Sequence, residues 1–343
     1  IDAAIISSEV NTFYLSEIKF SNGYIFITRE EFYILVDFRY YESTLKKSNG
    51  LTVLCFDDFK ETIARLIKKH KATNIIMESN RISLTRSYYF ESIFDSCGAK
   101  LIKTSQLDDA LESMRTIKSE KEIEKIKIAQ EISQETFLRT LPMIKEGITE
   151  RDIALELEIF MKKNGAESAA FDLIVASGKN SSLPHAEPTN KPVRKGDLLT
   201  IDMGAIFEGY NSDMTRTIAV GEVSDEQREV YNIVLAAQES ALNVLASGIS
   251  AKEVDDAARK IINRAGYKDC FGHAVGHGVG LEIHEKPSLS PKSNFTLKPY
   301  MVVTIEPGIY IRGKFGVRIE DMVLITDNGF KNLTSLEKNL IIV

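Results

Sequence analysis

Acidic residues recur as pairs in two similar stretches of this sequence. Asp202 and Asp213 belong to TIDMGAIFEGYNSDMTRTI, and Glu306 and Glu320 belong to TIEPGIYIRGKFGVRIEDMVLI. Both stretches are rich in strand-forming residues and turn back at Gly, Asn or Lys, so each pair is expected on neighbouring antiparallel strands. Four carboxylates that face one another in a low-dielectric interior repel strongly. Two divalent cations would balance them, and the pattern therefore indicates a metal site.

Three of the five histidines, His273, His277 and His284, lie in one stretch, FGHAVGHGVGLEIHE. A helical HExxH zinc motif is excluded, because HAVGH lacks the glutamate and its flanking glycines disfavour a helix. One of these imidazoles is expected to be a fifth ligand beside the four acids. A carboxylate-rich site with one imidazole suits manganese, cobalt or zinc, and the ligand types alone do not choose between them. Two such ions would activate a water for hydrolysis near neutral pH.

The elements that must position these residues come from an internal repeat. Residues 145–166 resemble residues 247–267, with matching glycines before and after an amphipathic helix. Further on, HAEP beginning at His185 resembles HEKP beginning at His284. Because these segments resemble one another in the same order, the region after residue 110 is predicted to be a duplicated helix–helix–strand unit of about 100 residues. Two copies related by a pseudo-two-fold axis would place His185 and His284 on opposite sides of one shared site.

The first 105 residues or so alternate strands with helices. Strands are predicted at 23–28, 32–37, 51–56 and 74–78. An amphipathic helix is predicted at 57–70, capped by Asp57 or Asp58. We expect His70, at the end of that helix, to be solvated. This part holds neither a Gly-rich phosphate loop nor a cluster of metal-type ligands, so it is expected to be a small α/β domain without chemistry of its own.

Composition excludes several classes of protein. The 343 residues carry a net charge of −6 and no basic stripe, which argues against a nucleic-acid partner. No apolar run approaches the ~20 residues that span a bilayer, and the start lacks the features of a secretory signal. The odd number of cysteines, Cys55, Cys97 and Cys270, predicts buried or half-buried thiols. A cytoplasmic protein without membrane contact is therefore expected.

The motifs IDMGA, NSDMTRT, HAVGHGVGLEIHE, TIEPGIY and GVRIEDMVLIT together resemble those of the pita-bread-fold metallopeptidases. More narrowly, the sequence resembles the proline-specific branch, which contains Xaa-Pro dipeptidase (prolidase) and Xaa-Pro aminopeptidase. The resemblance implies a fold of the α/β (α+β) class. It consists of a small creatinase/prolidase-like N-terminal α/β domain (1–109) and a catalytic pita-bread domain (110–343) that contains the pseudo-two-fold repeat.

The same resemblance implies a set of site residues. Its five metal ligands would be Asp202, Asp213, His277, Glu306 and Glu320. Asp213 and Glu320 would bridge the two ions, and Glu306 would also handle the proton of the attacking water.

Four further residues are implied around the metals. His185 and His284 would act in catalysis by hydrogen-bonding the substrate or the developing oxyanion. His273 and Arg318 would line the pocket for the residue after the scissile bond, with Arg318 a candidate for a carboxylate contact.

The resemblance implies a dinuclear metallopeptidase that cleaves the N-terminal Xaa-Pro bond of dipeptides or short peptides. Mn²⁺ is the expected ion, and Co²⁺ and Zn²⁺ are the alternatives. It also implies a homodimer whose partners are short proline-containing peptides. A methionine aminopeptidase-like enzyme is the first alternative, and the N-terminal domain argues against it. Creatinase-like amidinohydrolysis or a catalytically inactive binding homologue would lack the ligand set that is complete here. The sequence does not distinguish a dipeptidase from an aminopeptidase.

Overall fold

The computed structural model describes residues 1–343, which form two compact units, Ile1–Arg115 and Thr116–Val343. Helix N-termini are capped by side chains in both units, as at Ser8 and Ser119. The helices are α1 (Glu9–Ser16), α2 (Phe38–Lys47), α3 (Phe59–His70), α4 (Leu84–Ser96), α5 (Gln106–Thr116), α6 (Glu120–Thr140), α7 (Glu150–Lys163), α8 (Asp225–Asn243) and α9 (Ala251–Arg264). None of them is both long and apolar enough to cross a lipid bilayer.

The first unit is built on one six-stranded mixed sheet. Its strands are β1 (Ala3–Ile6), β2 (Tyr24–Thr28), β3 (Phe32–Val36), β4 (Thr52–Cys55), β5 (Asn74–Met77) and β6 (Lys100–Leu101), in the order β4-β3-β2-β1-β5-β6. The β1–β2 and β2–β3 pairs are antiparallel, and the other pairs are parallel. The predicted α/β class, strands and helix of this region are thereby confirmed.

Apolar side chains cover both faces of this sheet. Ile5 and Phe26 belong to one buried cluster, whereas their chain neighbours Ile6 and Ile25 belong to another. Because successive strand residues point to opposite faces, this assignment requires a sheet that is packed on both sides. The near-continuous apolar runs of β2 and β3 follow from that burial.

Two expectations for single residues in this unit are wrong. His70 is half-buried, and its Nε2 lies 2.8 Å from the hydroxyl of Tyr33. It is only partly exposed to solvent because the last turn of α3 lies against Tyr33 of β3. Cys55 is exposed at the end of the edge strand β4, whereas Cys97 and Cys270 are half-buried as expected.

The second unit contains four separate sheets, and two of them position the acidic pairs. Its strands are β7 (Ser168–Ala169), β8 (Ile174–Ser177), β9 (Leu198–Met203), β10 (Ala205–Phe207), β11 (Tyr210–Asn211), β12 (Met214–Ala219), β13 (Gly276–Gly278), β14 (Glu285–Leu289), β15 (Val302–Ile305), β16 (Gly308–Ile311), β17 (Phe315–Arg318), β18 (Asp321–Thr326) and β19 (Gly329–Asn332). The two central sheets have the orders β12-β9-β8 and β14-β13-β15-β18-β19. The hairpin β16–β17 and the sheet β11-β10-β7 stand beside them.

The duplication is visible in the turns around α7 and α9. Thr149 and Ser250 cap these helices with capping boxes. Glycines with φ between +89° and +100°, a region that disfavours a Cβ, stand at the same points of both copies. They are Gly147, Gly165, Gly248 and Gly266. Each copy also has its own core: Phe137, Leu157 and Ile201 lie in the first, and Val234, Val254 and Val303 lie in the second. The internal repeat is therefore confirmed.

Candidate active site

The acidic residues lie where paired strands of the two copies end. Asp202 is on β9, and Asp213 directly precedes β12, the antiparallel neighbour of β9. Glu306 directly follows β15, and Glu320 directly precedes β18, which is the antiparallel neighbour of β15. His277 lies on β13, on the other side of β15. The equivalent hairpins of the two copies thus supply two carboxylates each, and the second copy adds the imidazole.

The ligand-type atoms of these residues converge on one point. The Nε2 atom of His277 lies 3.5 Å from Asp213 Oδ2 and 3.3 Å from Glu306 Oε1. Ligand atoms of Asp213, His277 and Glu320 all lie within 4.8 Å of one another, a spacing that a metal ion could bridge. Asp202 and Glu306 border this group, since both raise the pKa of Asp213 and of Glu320 by charge repulsion.

Burial makes this group of acids unfavourable without compensating cations. Asp213 is 4% exposed and Glu320 is 1% exposed. Burial first, and then the neighbouring carboxylates, raise the pKa of both groups well above the usual range. The buried atoms Asp202 Oδ1 and Glu320 Oε1 have no hydrogen-bond partner. Buried polar atoms without partners are rare in native proteins, so each implies a missing cation or other partner.

Backbone and hydroxyl contacts fix the orientation of the imidazole. His277 Nδ1 lies 3.0 Å from the carbonyl oxygen of Gly278, to which it donates a hydrogen bond. Nε2 is directed at Asp213 and Glu306. Burial opposes protonation of His277, but the hydrogen bond and charge of Glu306 outweigh it and raise the pKa of His277, and a metal ion bound here would take the place of the Nε2 proton. Burial opposes ionisation of Glu306, but the hydrogen bond and charge of His277 outweigh it and lower the pKa of Glu306 to about 2. His277 is thus already aligned as a partner of the carboxylates.

Two threonines beside these residues were not singled out from the sequence. Thr215 Oγ1 donates to Glu320 Oε2 at 2.7 Å, and Thr304 Oγ1 accepts from the backbone N–H of His277 at 3.1 Å. Thr215 lies opposite Asp202 in the β9–β12 ladder. The strand alternation placed it on the same face as the acids, so this signal was available in the sequence.

Arg318 is buried, and the carboxylate that it contacts belongs to a residue of this chain, Asp202. Its Nη2 donates to Asp202 Oδ2 at 2.6 Å. Its other N–H groups reach the Tyr310 hydroxyl at 2.8 Å, the Pro184 carbonyl oxygen at 3.2 Å and Thr215 Oγ1 at 3.1 Å. Contact with a substrate carboxylate therefore remains a prediction, whereas Arg318 already orients Asp202 and Tyr310.

The remaining histidines differ in exposure. His273 is half-buried against Phe271, and burial lowers its pKa. Its Nδ1 donates to the Ala274 carbonyl oxygen at 2.8 Å, so Nε2 accepts from Tyr310 at 3.0 Å. His185 and His284 are both exposed.

Exposure leaves His185 and His284 available to a bound molecule. The ring of His284 lies 4.4 Å from that of His277. Partial loss of hydration at the ring, together with the nearby charges of His277 and His185, lowers the pKa of His284. The structure therefore brings all the residues predicted from the sequence, from both copies, around one centre.

Comparison with known families decides what kind of centre this is. Residues 124–327, more than half of the chain, match the model of metallopeptidase family M24. The chain belongs to metallopeptidase family M24. Residues 1–117 match the creatinase/prolidase N-terminal domain. The predicted two-part architecture and the resemblance to pita-bread metallopeptidases are confirmed, and the M24 chain is a metal-dependent peptidase.

Relatives of this M24 chain match it over nearly its full length. It is 43% identical to a Xaa-Pro dipeptidase of Pyrococcus furiosus, over 99% of this chain and 95% of that one. The solved structure of a Xaa-Pro dipeptidase from Bacillus anthracis superposes with a TM-score of 0.96 at 39% identity, covering 100% of this chain and 95% of that one. A X-Pro aminopeptidase structure from Thermotoga maritima has a TM-score of 0.94 at 40% identity, with coverages of 100% and 98%.

Family membership implies divalent metal ions, and the residues of this M24 centre fit them. The two orphaned carboxylate oxygens would gain a partner, and the mutually repelling acids would be neutralised. The donor set of carboxylate oxygens and one imidazole is of the type that binds divalent transition metals. Both observations concern this chain's own side chains.

A buried ion pair on α9 fixes the segment that carries His273 and His277. Asp255, which is 0% exposed, pairs with Arg259 through two hydrogen bonds of 2.6 and 2.8 Å and accepts from the Val275 N–H at 3.1 Å. Arg259 also donates to the carbonyl oxygens of Phe271 and His273. These residues carry no metal-binding pattern in the sequence, which is why the sequence did not reveal them.

Replacing Asp255 by Asn should lower the free energy of unfolding by about 2–4 kcal/mol, because it leaves the Arg259 guanidinium without its countercharge. Denaturant titration followed by far-UV circular dichroism measures this loss. The exposed pair Glu42–Lys46 has the same i,i+4 spacing and supplies the control. Glu42→Gln should cost less than about 0.5 kcal/mol. Equal losses in the two variants would contradict the role given to Asp255.

Proposed function

We propose that this M24 chain hydrolyses the peptide bond between an N-terminal residue and proline, and that Xaa-Pro dipeptides are its principal substrates. The observation that carries the proposal is the full-length similarity, at 43% identity, to Xaa-Pro dipeptidases. The convergence of acidic side chains and one imidazole on a single centre supports it. Full-length relatives of this kind favour an Xaa-Pro peptidase over the methionine aminopeptidase-like and inactive alternatives.

Five side chains would hold the ions in this proposal. They are Asp202, Asp213, His277, Glu306 and Glu320. Asp213 and Glu320 are the most buried acids of these five residues and come from different copies, so we assign them to hold both ions. Two bound divalent ions would supply Lewis-acid polarisation of the scissile carbonyl and an activated water. Manganese is our choice of ion in this proposal. The carboxylate-rich set with one imidazole suits manganese but does not by itself distinguish it from cobalt or zinc.

We assign the remaining catalytic roles, proton transfer and stabilisation of the oxyanion, to side chains of this protein. Glu306 accepts the proton of the attacking water and returns it to the proline nitrogen, which must leave as an amine. His284 and His185, exposed at the rim, donate hydrogen bonds to the carbonyl oxygen as negative charge develops on it. Neither histidine needs to be charged for this, since a neutral imidazole still has one N–H donor.

The pocket beyond the scissile bond is assigned to His273, Tyr310 and Arg318. These three residues form a connected network, in which the Tyr310 hydroxyl contacts both His273 Nε2 and Arg318 Nη1. Burial raises the pKa of Tyr310 to about 12, so it stays protonated and keeps its donor. A rigid pocket suits proline, whose ring fixes φ and which offers no N–H to a peptidase.

Comparing Ala-Pro with Ala-Pro-Ala on one metal-loaded preparation tests the proposal. We expect kcat/KM to be at least about tenfold higher for Ala-Pro, because a dipeptidase uses binding to the free proline carboxylate in the transition state. Release of free alanine, followed by chromatography, measures both reactions.

Ala-Ala serves as the control substrate and should be cleaved poorly. A higher kcat/KM for Ala-Pro-Ala would instead support an aminopeptidase, in keeping with the similarity to the Thermotoga maritima structure. Failure to cleave any Xaa-Pro substrate would contradict the proposed function altogether. A homodimer and a cytoplasmic location, expected from the family resemblance and from the thiols, stay predictions that size-exclusion chromatography with light scattering and cell fractionation would test.

A further inference from the structure

Glu150, the first residue of α7, is a completely buried carboxylate that lies outside the metal-binding group. All of its hydrogen-bond partners are donors. They are the Ser177 N–H at 2.7 Å, Ser177 Oγ at 2.8 Å, Asn180 Nδ2 at 3.0 and 3.1 Å, the Thr189 N–H at 3.2 Å and Thr189 Oγ1 at 2.6 Å. An ionised carboxylate accepts at both oxygens and donates nothing, so it matches this set.

The partners of Glu150 all belong to one stretch, residues 177–189, which we call the His185 segment. Glu150 binds its first residue, Ser177, and its last residue, Thr189, so one carboxylate closes the segment into a loop. The loop is also attached to β17: Ser181 Oγ accepts from the Gly316 N–H at 2.8 Å. The Pro184 carbonyl oxygen, next to His185, accepts from Arg318.

Comparison of the two copies of the repeat shows that Glu150 is not needed to cap α7. Thr149 and Asp152 already form the capping box of α7, so the helix start does not need Glu150. In the second copy Ala251 occupies the corresponding place, directly after the N-cap Ser250, and α9 is formed equally well. An acid at this position is therefore specific to the copy whose helix must hold the His185 segment.

We infer that Glu150 is a positioning residue for His185. It acts through the two ends of the His185 segment and fixes where the imidazole stands relative to the metal-binding group. This inference rests on the proposed function, in which His185 contacts the substrate. It adds a residue that touches neither the substrate nor the metal-binding group.

Glu150→Gln tests the inference, because glutamine keeps the volume but turns one acceptor into a donor that faces other donors. We expect kcat/KM for Ala-Pro to fall about tenfold or more, as misplaced catalytic groups typically cause. Hydrogen–deuterium exchange in residues 177–189 should become faster, while bound metal and far-UV circular dichroism stay unchanged. Glu158→Gln, at an exposed site on the same helix, is the matched control and should change none of these quantities.

A double-mutant cycle distinguishes positioning from general loss of structure. In a His185→Ala background, Glu150→Gln should change kcat/KM by less than about twofold, since its target is absent. Thr189→Val, which deletes a single donor, provides a milder variant if Glu150→Gln folds poorly, and its effect should also vanish in that background. The same loss in both backgrounds, or unchanged exchange in the His185 segment, overturns the inference.

The proposed function and the inference about Glu150 are tested by different results. If the wild-type protein cleaves no Xaa-Pro peptide, that proposal is lost, while the exchange experiment still decides whether Glu150 fixes the His185 segment. If the wild type is active and exchange in residues 177–189 does not respond to Glu150→Gln, the proposed function stands and the inference is lost.

Discussion

Replacing Glu320 by Gln should abolish peptidase activity and, at the same time, stabilise the metal-free protein. We expect kcat/KM for Ala-Pro to fall by a factor of about 1,000 or more, because one of the five proposed metal ligands and its charge are lost. The metal-free variant should gain about 1–3 kcal/mol in the free energy of unfolding at pH 7. Activity assays with added Mn²⁺ and denaturant titration in the presence of a chelator measure the two effects.

The loss of activity and the gain in stability expected for Glu320→Gln have one physical cause. Glu320 is 1% exposed, one of its oxygens has no hydrogen-bond partner, and burial and neighbouring acids raise its pKa well above the usual range of a glutamate. A carboxyl group with a raised folded-state pKa favours folding below its unfolded-state pKa, and this contribution is lost as pH rises through the folded-state pKa. Near neutral pH the group therefore opposes folding. Glutamine can still accept from Thr215, and its amide N–H can donate to the neighbouring carboxylates.

Glu239→Gln, at an exposed position on α8, controls for the change in net charge and should alter neither property. The stabilisation of Glu320→Gln should also grow as pH rises above the ordinary carboxyl range, because the unfolded wild-type chain gives up the Glu320 proton there while the folded protein, in which the pKa of Glu320 is raised, retains it. A variant that loses stability in chelator, or that retains activity, would contradict the assignment of Glu320 to a shared metal site.

Much of this site was accessible from the sequence because its key groups lie in short motifs. Asp202 and Asp213 are eleven positions apart, on or directly next to two paired strands joined by the short β10–β11 hairpin, so local geometry alone brings them together. The internal repeat then predicted that Glu306 and Glu320 do the same in the second copy. The expected pseudo-two-fold symmetry then predicted the long-range contact between the two copies without any knowledge of the tertiary structure.

Residues that act through long-range side-chain contacts were not predictable in this way. Arg318 was placed in the substrate pocket, but its contact with Asp202 spans 116 positions and depends on how β17 packs against β9. Glu150 looks like an ordinary acid in the first turn of a helix, and only the fold shows that residues 177–189 surround it. His70 looked solvated for the same reason, since a helix pattern does not reveal which strand packs against its last turn.

Removing divalent ions with a chelator should inactivate the protein and lower its melting temperature, and added Mn²⁺ should restore both. We expect activity to fall about 1,000-fold or more, since the ions supply the activated water. When free ion exceeds the dissociation constant about 1,000-fold, binding stabilises the folded state by about 4 kcal/mol. For a unit of this size that corresponds to a shift of about 8–16 °C. Differential scanning calorimetry and titration calorimetry measure the shift and the number of ions bound.

Asp213→Asn supplies the control for specific binding, because it removes a carboxylate at the centre of the group while leaving the surface acids in place. In this variant Mn²⁺ should produce little shift in melting temperature. A shift that survives the substitution would indicate binding elsewhere on a chain of net charge −6. Activity that survives exhaustive chelation would contradict metal dependence.

The difference in melting temperature between metal-loaded and metal-free protein should widen from pH 5 to pH 8, for two reasons that act in the same direction. Protons compete with cations for Asp213 and Glu320, whose pKa values are raised by burial and mutual repulsion, so binding strengthens as pH rises. As pH rises above the ordinary carboxyl range the metal-free protein also becomes less stable, because the unfolded chain releases the protons of these two groups more readily than the folded protein does. Nonspecific binding to exposed carboxylates, which are already ionised at pH 5, would show almost no such dependence. The pH dependence therefore separates ions held in the buried centre from ions held at the surface, even where the two give similar shifts at one pH.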